Sequence, residues 1–274
     1  MPRYLFHLSY LGTHYQGWQR QKNAAQSVQQ VLESVLAEVL GVPVALVACG
    51  RTDAGVHASQ FLAHADLDRA IDLSKVLVIN RRLPEDIALY EIREVGPEFH
   101  ARFSAVARSY DYFIHFNKDP YLSTVSTYIP GSMADYDLVA MQGCLDLMKR
   151  YDDFRVLCQQ PDKQKHTRCT ISQAQLFVHQ DRQAVRFYFT ANRFLKAMIR
   201  LTVARILEVG LGKASVSDFE SYLRDLKVPT FQNLAYPQGL HLSGIKYPNV
   251  DLEQKCVGFL QLSAPQNWLP ILSD

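Results

Sequence analysis

Alternation opens the chain. Tyr4, Phe6, Leu8 and Tyr10 recur at every second position, the period of a strand with one face buried. The period then lengthens. Ser27-Val28-Gln29-Gln30 has the form of a helix-opening capping box, and Val28, Val31, Leu32, Val35, Leu36 and Val39 make one apolar stripe that Gly41 and Pro43 stop. Two apolar runs, 44–48 and 60–65, predict strands joined by a polar loop. Asp72 suits the cap of a second helix bearing Leu73, Val76, Leu77 and Leu83, and a further strand is predicted over 87–95. The order is strand, helix, strand, strand, helix, strand.

The second half repeats that order. Tyr110, Tyr112, Ile114 and Phe116 alternate along a predicted strand, and Asp135 opens a helix with Leu138, Met141, Leu145 and Met148. Strands near 167–178 and 183–190 follow, then a helix over 192–209, an inserted helix near 217–226 and a strand near 240–247. The pattern predicts an α+β chain of two tandem β-α-β-β-α-β halves, ferredoxin-like or RRM-like, sharing a mostly antiparallel sheet with helices on one side. The expected divisions are 1–104 and 105–250, with 251–274 as a C-terminal extension to which the pattern assigns no role. A free sheet face in this topology can offer aromatic rings to unstacked bases, but the same topology hosts many functions.

Composition narrows the class. With 48% hydrophobic and 20% charged residues over 274 positions, the chain has enough apolar material for one large or two small cores. No window reaches the apolar length of a membrane span, and the first residues lack a signal-peptide core, so the expectation is a cytoplasmic protein with no membrane partner. The five cysteines are odd in number and have no CxxC spacing, which argues against a zinc site and a disulfide framework; Cys49 is expected to pack beneath the polar loop as a free thiol. Net charge is only +2, so any nucleic-acid surface must come from local clustering. One cluster is visible: Arg193, Lys196, Arg200, Arg205 and Lys213 face a single acid, Glu208.

Two constellations can carry chemistry. In the polar loop, Gly50 and Gly55 flank Asp53 and permit a sharp turn that holds the carboxylate out. Alone, an aspartate there is more simply an Asx turn. On a helical wheel over 192–209, Arg193, Lys196 and Arg200 fall on one side and Phe194, Leu195, Met198, Leu201 and Thr202 on another; for a generic helix, a solvated basic face is the simpler reading.

The run Gly50-Arg51-Thr52-Asp53-Ala54-Gly55-Val56-His57 resembles the active-site loop of the TruA-type tRNA pseudouridine synthases. That resemblance makes Asp53 the catalytic residue and His57 a brace of the loop. Ala191 to Arg200 is similar to the family's Ala-Asn-x-Phe-Leu-x-x-Met-Val-Arg segment, which implies that Arg200 pairs with the aspartate. Such a pair would lower a carboxylate pKa by ~1 to 3 units. Arg108-Ser109-Tyr110-Asp111-Tyr112 is similar to the family's Arg-x-Tyr-x-Tyr strand and gives Tyr110 the task of stacking on the uracil. Further blocks, Tyr10 to Gln21, Leu83 to Ile87, Phe99 to Ser104 and Gln238 to Leu242, extend the likeness from about Tyr4 to Tyr247 and assign Leu240 to the uracil pocket.

The resemblance implies isomerisation of uridine to pseudouridine in the tRNA anticodon stem-loop by a homodimer, with no cofactor or metal. Arg51, Arg193, Lys196, Arg20, Arg81 and Arg82 are the expected RNA contacts. The chain departs from the family's pattern at Tyr236-Pro237-Gln238, at Arg81 and Arg82, and in Asp153-Phe154-Arg155-Val156-Leu157. These departures keep two alternatives open: the same chemistry on another RNA, or a non-catalytic RNA-binding or RNA-folding protein.

Overall fold

A computed structural model describes residues 1–21, 26–179, 181, 183–227, 232–248, 250–251 and 268–272. The fold is mixed α+β, with mostly antiparallel strand pairs and five α-helices among the described residues, and it divides into two compact units.

The first unit runs β1 (Arg3–Tyr10), α1 (Val28–Leu40), β2 (Val47–Ala48), β3 (His57–Asp66), α2 (Val76–Arg82) and β4 (Ile87–Val95). β1 lies between β3 and β4, antiparallel to both, and β2 pairs antiparallel with β3. The alternation in β1 predicted one buried face, yet both are covered: His7 and Ser9 are as buried as Phe6 and Leu8 by class, and β3 is buried from His57 to Ala65. The Ser27 side chain caps α1 by accepting from Gln30 N–H, and Gly41 ends it in the left-handed region at φ 68°.

Two expectations for this unit change. Only Val47 and Ala48 of the 44–48 run pair as a strand. Asp72 caps a short 3-10 turn over Leu73–Lys75, and α2 follows with Leu77 73% exposed and Ile79 as its one buried residue. The expected stripe of Leu73, Val76 and Leu77 therefore does not face a core. What fixes α2 is polar: Asn80 Nδ2 donates to Leu89 O and Asn80 Oδ1 accepts from Leu89 N, joining the helix to β4.

The second unit contains β5 (Ala107–His115), β6 (Thr127–Tyr128), α3 (Leu138–Met148), β7 (Ile171–His179), β8 (Ala184–Ala191), α4 (Met198–Gly210) and α5 (Val216–Asp225). β8 lies between β5 and β7, antiparallel to both, with Val185, Phe187 and Phe189 on its buried face. Across the β5–β8 ladder the fully buried Asp111 is paired with Arg186 Nε at 2.5 Å. Asp137 rather than Asp135 caps α3; Asp135 instead completes a capping box with Ser132 one turn earlier.

The strand expected near 240–247 is present as β9 (Leu240–Lys246). It pairs parallel to β3, His57 opposite His241 and Ala58 opposite Leu242, so the chain from His241 belongs to the first unit. The residues beyond 251 that the structure describes also have a place. β10 (Leu269–Pro270) pairs with β7, and Trp268 is buried against Phe113, Leu122 and Ala184 in the second unit.

No helix among the described residues is long and apolar enough to cross a membrane. Cys49, Cys144, Cys158 and Cys169 are buried free thiols, and burial pushes Cys144 and Cys169 up to about 12, which leaves them protonated and unreactive. Cys256 lies outside the described residues. Among the described residues no group of three or more His, Cys, Asp or Glu is arranged to hold a metal ion.

Candidate active site

In the first unit the Asp53 loop is clasped by the segment that follows β1. Tyr10 Oη and Thr52 Oγ1 lie 2.8 Å apart, Trp18 N–H donates to Thr52 O at 3.2 Å, and Gly55 N–H donates to Tyr15 O at 3.3 Å. Within the loop, Val56 N–H returns to Asp53 O at 3.2 Å. The two segments come so close that only glycine fits: a Cβ on Gly12 would stand 2.0 Å from Val56 O, and one on Gly17, itself at φ 80°, 2.4 Å from Thr52 O. Trp18 is buried and stacks on Phe61 with ring centroids 4.0 Å apart, anchoring the clasp to β3.

Asp53 is half-buried, and Arg51 beside it is exposed. Gly55, at φ 75°, makes the turn. Gly50 does not: it is outside the left-handed region, and a Cβ there would meet nothing within 4 Å. His57 is 1% exposed and accepts at Nδ1 from Gly12 N–H at 2.9 Å, with its ring against His241 at 4.6 Å. It braces the loop and is sealed from solvent.

A second tie was not anticipated. Tyr15 Oη donates to Asp86 Oδ1 at 2.5 Å, and Leu11 N–H donates to Asp86 O at 2.9 Å. Burial, with the adjacent carboxylate, pushes the Tyr15 phenol up, so it remains a donor at any ordinary pH. The only sequence signal was that Tyr15 and Asp86 each sit in a block similar to the family's.

Three of the expected RNA contacts flank this unit's first helix. Arg20 lies 3.4 Å from Glu33 and Arg82 3.2 Å from Glu38, both acids of α1, while Arg81 is exposed. The Arg82–Glu38 pair lies at the surface, where such pairs are weak in water.

The second unit holds Tyr110, Arg193, Lys196, Arg200 and Leu240. The expected helix over 192–209 begins only at Met198, because Ala197 sits in the left-handed region at φ 60° and breaks the run. Residues 192–196 bond elsewhere: Thr170 N–H donates to Asn192 Oδ1, Arg108 donates to Asn192 O, and Gln159 N–H donates to Lys196 O. Arg193, Lys196 and Arg200 therefore do not share a helix face. Arg193 lies 3.1 Å from His166 Nε2, and Lys196 is exposed before the helix begins.

Tyr110 occupies the half-buried end of β5, opposite Phe189 of β8, with its ring edge-on to Phe194 at 5.1 Å and 81°. One side of the ring is thus fixed by the segment preceding α4. Arg200, in the first turn of α4, donates from Nε to Ala235 O at 2.7 Å, and Ala235 N–H donates back to Arg200 O at 3.1 Å. The next residue is secured from below. Fully buried Tyr112 donates from Oη to Tyr236 O at 2.8 Å, with Thr127 Oγ1 also at 2.8 Å. A Cβ on Gly239 would lie 2.7 Å from Thr127 Oγ1 and Tyr112 Cζ, so the chain presses directly on this pair before reaching Leu240, which is 7% exposed. One short segment, 235–240, thereby fixes the stem of Arg200 and the place of Leu240. Alternation marks Tyr112 only as a core strand residue, so its hydroxyl role was missed.

Chemically, the first unit offers a rigidly presented carboxylate and the second a braced guanidinium with a half-exposed tyrosine ring. Comparisons with known proteins bear on both. A family model described as tRNA pseudouridine synthase matches residues 8–104 and 151–248, which include Asp53, Arg200 and Leu240 and leave Tyr110 between the two segments. Proteins named tRNA pseudouridine synthase A are similar along nearly the whole chain. That of Porphyromonas gingivalis is 35% identical over 256 residues, covering 91% of this chain and 98% of its own. That of Geobacillus sp. strain WCH70 is 37% identical over 248 residues, covering 88% and 97%. That of Neisseria meningitidis serogroup B is 34% identical over 253 residues, covering 90% and 92%. With the family model matched over both of these long segments and relatives aligned along nearly their full lengths, the chain belongs to the tRNA pseudouridine synthase family.

Proposed function

We propose that this chain isomerises uridine to pseudouridine in the anticodon stem-loop of tRNA, with Asp53 acting on the ribose of a uridine turned out of its stack. The observation that carries the reading is the glycine-clasped loop: Gly12 and Gly17 admit the 50–57 backbone at distances no other residue tolerates, and the structure so built presents one carboxylate. The family match and the relatives' names supply the reaction class.

The reaction breaks the N1–C1′ bond, the bonding pair leaving with uracil. The freed base turns, C5 bonds to C1′, and the C5 proton is lost while N1 takes one up, so that the product is an isomer of the substrate. Positive charge builds at C1′ as the first bond breaks, and a fixed carboxylate stabilises or captures it. By the resemblance, Arg200 is read as the residue that pairs with the catalytic aspartate, and its braced stem supports that role. Tyr110, with one side against Phe194, offers its ring to the uracil, and Leu240 lines the base pocket. Arg51, Arg81, Arg20, Arg82, Arg193 and Lys196 are read as phosphate contacts, which predicts salt-sensitive binding. We read each unit as a ferredoxin-like half; the first supports this by its element order and by the strand sequence β2-β3-β1-β4. The homodimer that the resemblance implies is checked by sedimentation of the purified chain.

The test is a pseudouridine map of total RNA from cells that lack the gene, complemented with the wild type or with Asp53→Ala. Wild type restores sites in tRNA anticodon stem-loops and Asp53→Ala restores none. Sites restored only in other RNAs move the substrate; a site restored by Asp53→Ala removes the catalytic role.

A further inference from the structure

After β4 the chain makes a tight turn, Phe99-His100-Ala101-Arg102-Phe103-Ser104, in which Phe103 is 75% exposed. A single exposed aromatic is ordinary. The manner of its presentation is not. Phe99 and Ala101 are buried, and their backbone groups are held from several sides: Phe99 O accepts from Arg3 Nη1, Ala101 O from Tyr247 Oη at 2.6 Å, and Ala101 N–H donates to buried His64 Nδ1 at 3.2 Å. The turn also closes on itself. Arg102 and Phe103 N–H both donate to His100 Nδ1, at 3.1 and 3.3 Å, and His100 and Ser104 exchange two bonds of 2.9 Å.

The ring that this scaffold exposes has a second ring and one guanidinium beside it. His100 lies beside it at 4.3 Å with planes 35° apart, and Arg102 Cζ is 5.7 Å from its centroid. From Phe99 to Tyr110 the sequence has no acid, while Arg102 and Arg108 are basic. A preordered aromatic face beside a guanidinium matches an unpaired nucleotide, whose base stacks on the ring while its phosphate meets the cation. A protein partner would call for a wider apolar patch with a polar rim.

We propose that Phe103 and Arg102 form a stacking platform for an unpaired nucleotide of the bound RNA, separate in sequence from the uridine site assigned to Asp53, Tyr110 and Leu240. This rests on the reading of the chain as a tRNA-modifying enzyme. The full-length chain is titrated against a tRNA transcript, and against a single-stranded oligoribonucleotide, as wild type, Phe103→Ala, Phe103→Tyr and Arg102→Ala. Melting temperatures are recorded in parallel. Phe103→Ala weakens tRNA binding by about 5- to 150-fold at an unchanged melting temperature, and Phe103→Tyr stays within about twofold of wild type. Arg102→Ala weakens binding and lowers the salt slope by about one.

Equal affinity of Phe103→Ala and wild type overturns the platform. So does a Phe103→Ala variant that changes the sedimentation of the free protein while leaving tRNA affinity intact, because the ring then serves a protein contact. If the wild type forms no pseudouridine in tRNA yet binds the oligoribonucleotide more tightly than Phe103→Ala does, the platform stands and the functional reading fails.

Discussion

The Asp53 loop of the first unit and the Arg200 turn of the second are both immobilised, but by opposite devices. Around Asp53, backbone grips backbone: Trp18, Gly55 and Val56 N–H groups donate to carbonyls, and Gly12 and Gly17 let the strands of the clasp approach. Around Arg200, side chains reach backbone: Arg200 Nε holds Ala235, and Tyr112 Oη holds Tyr236 from 124 residues away in sequence. A clasp closed this tightly on backbone does not tolerate an added Cβ. A side-chain latch tolerates backbone variation but fails on the loss of one hydroxyl.

Gly12→Ala breaks the first device most severely. A methyl 2.0 Å from Val56 O forces the two segments apart, at a cost of about 3 kcal/mol or more in denaturant unfolding, and pseudouridine formation falls with it. A variant as stable as wild type would show that the clasp yields.

Acid tests the first unit next. Burial, reinforced by nearby Arg3, lowers the His64 pKa from 6.5 to about 4, so the folded first unit keeps this imidazole neutral while the unfolded chain protonates it. Its stabilising contribution is complete above pH 6.5 and is lost as pH falls toward 4, about 3 kcal/mol at 1.36 kcal/mol per unit. His64→Gln flattens that limb in urea titrations at successive pH values. The hydroxyl latch does not titrate there, since burial pushes the Tyr112 phenol up. An unchanged acid limb in His64→Gln would assign the loss to other groups.

Tyr112→Phe tests the latch. It removes the donor to Tyr236 O and costs about 1 to 3 kcal/mol. Under conditions where the variant is folded, kcat falls while KM is nearly unchanged, because Arg200 loses its brace; a merely structural hydroxyl would leave kcat intact. Gly50→Ala gives the smallest effect, within about 0.5 kcal/mol and with activity unchanged, because the added methyl meets open space. A large loss there would relocate the turn that matters from Gly55 to Gly50.

How far these features were legible follows from the range of the interactions. Alternation and the 3.6-residue stripe placed β1, α1, β5 and β8, and Ser27 with Gly41 marked both ends of α1, because each signal lies within a few residues of the structure it specifies. The stretch 192–197 misled because Arg193, Lys196 and Arg200 have helical spacing, while long-range bonds to Thr170, Arg108 and Gln159 hold the backbone out of the helix. Likewise α2 lacked a core beneath Leu73 and Leu77.

The site divided in the same way. The resemblance over Gly50 to His57 singled out Asp53, and His57 was correctly read as a brace. Sequence alone thus determined most of the alternating elements and the burial of Cys49 beneath the loop, since these depend on neighbours or on residue type. Tertiary structure alone decided that β9 joins the first unit beside β3, that Trp268 completes the second unit's core, and that Gly12 and Tyr112 hold the two functional segments. Each of those depends on which distant groups meet, and no periodicity along a chain encodes a contact made 45 or 124 residues away.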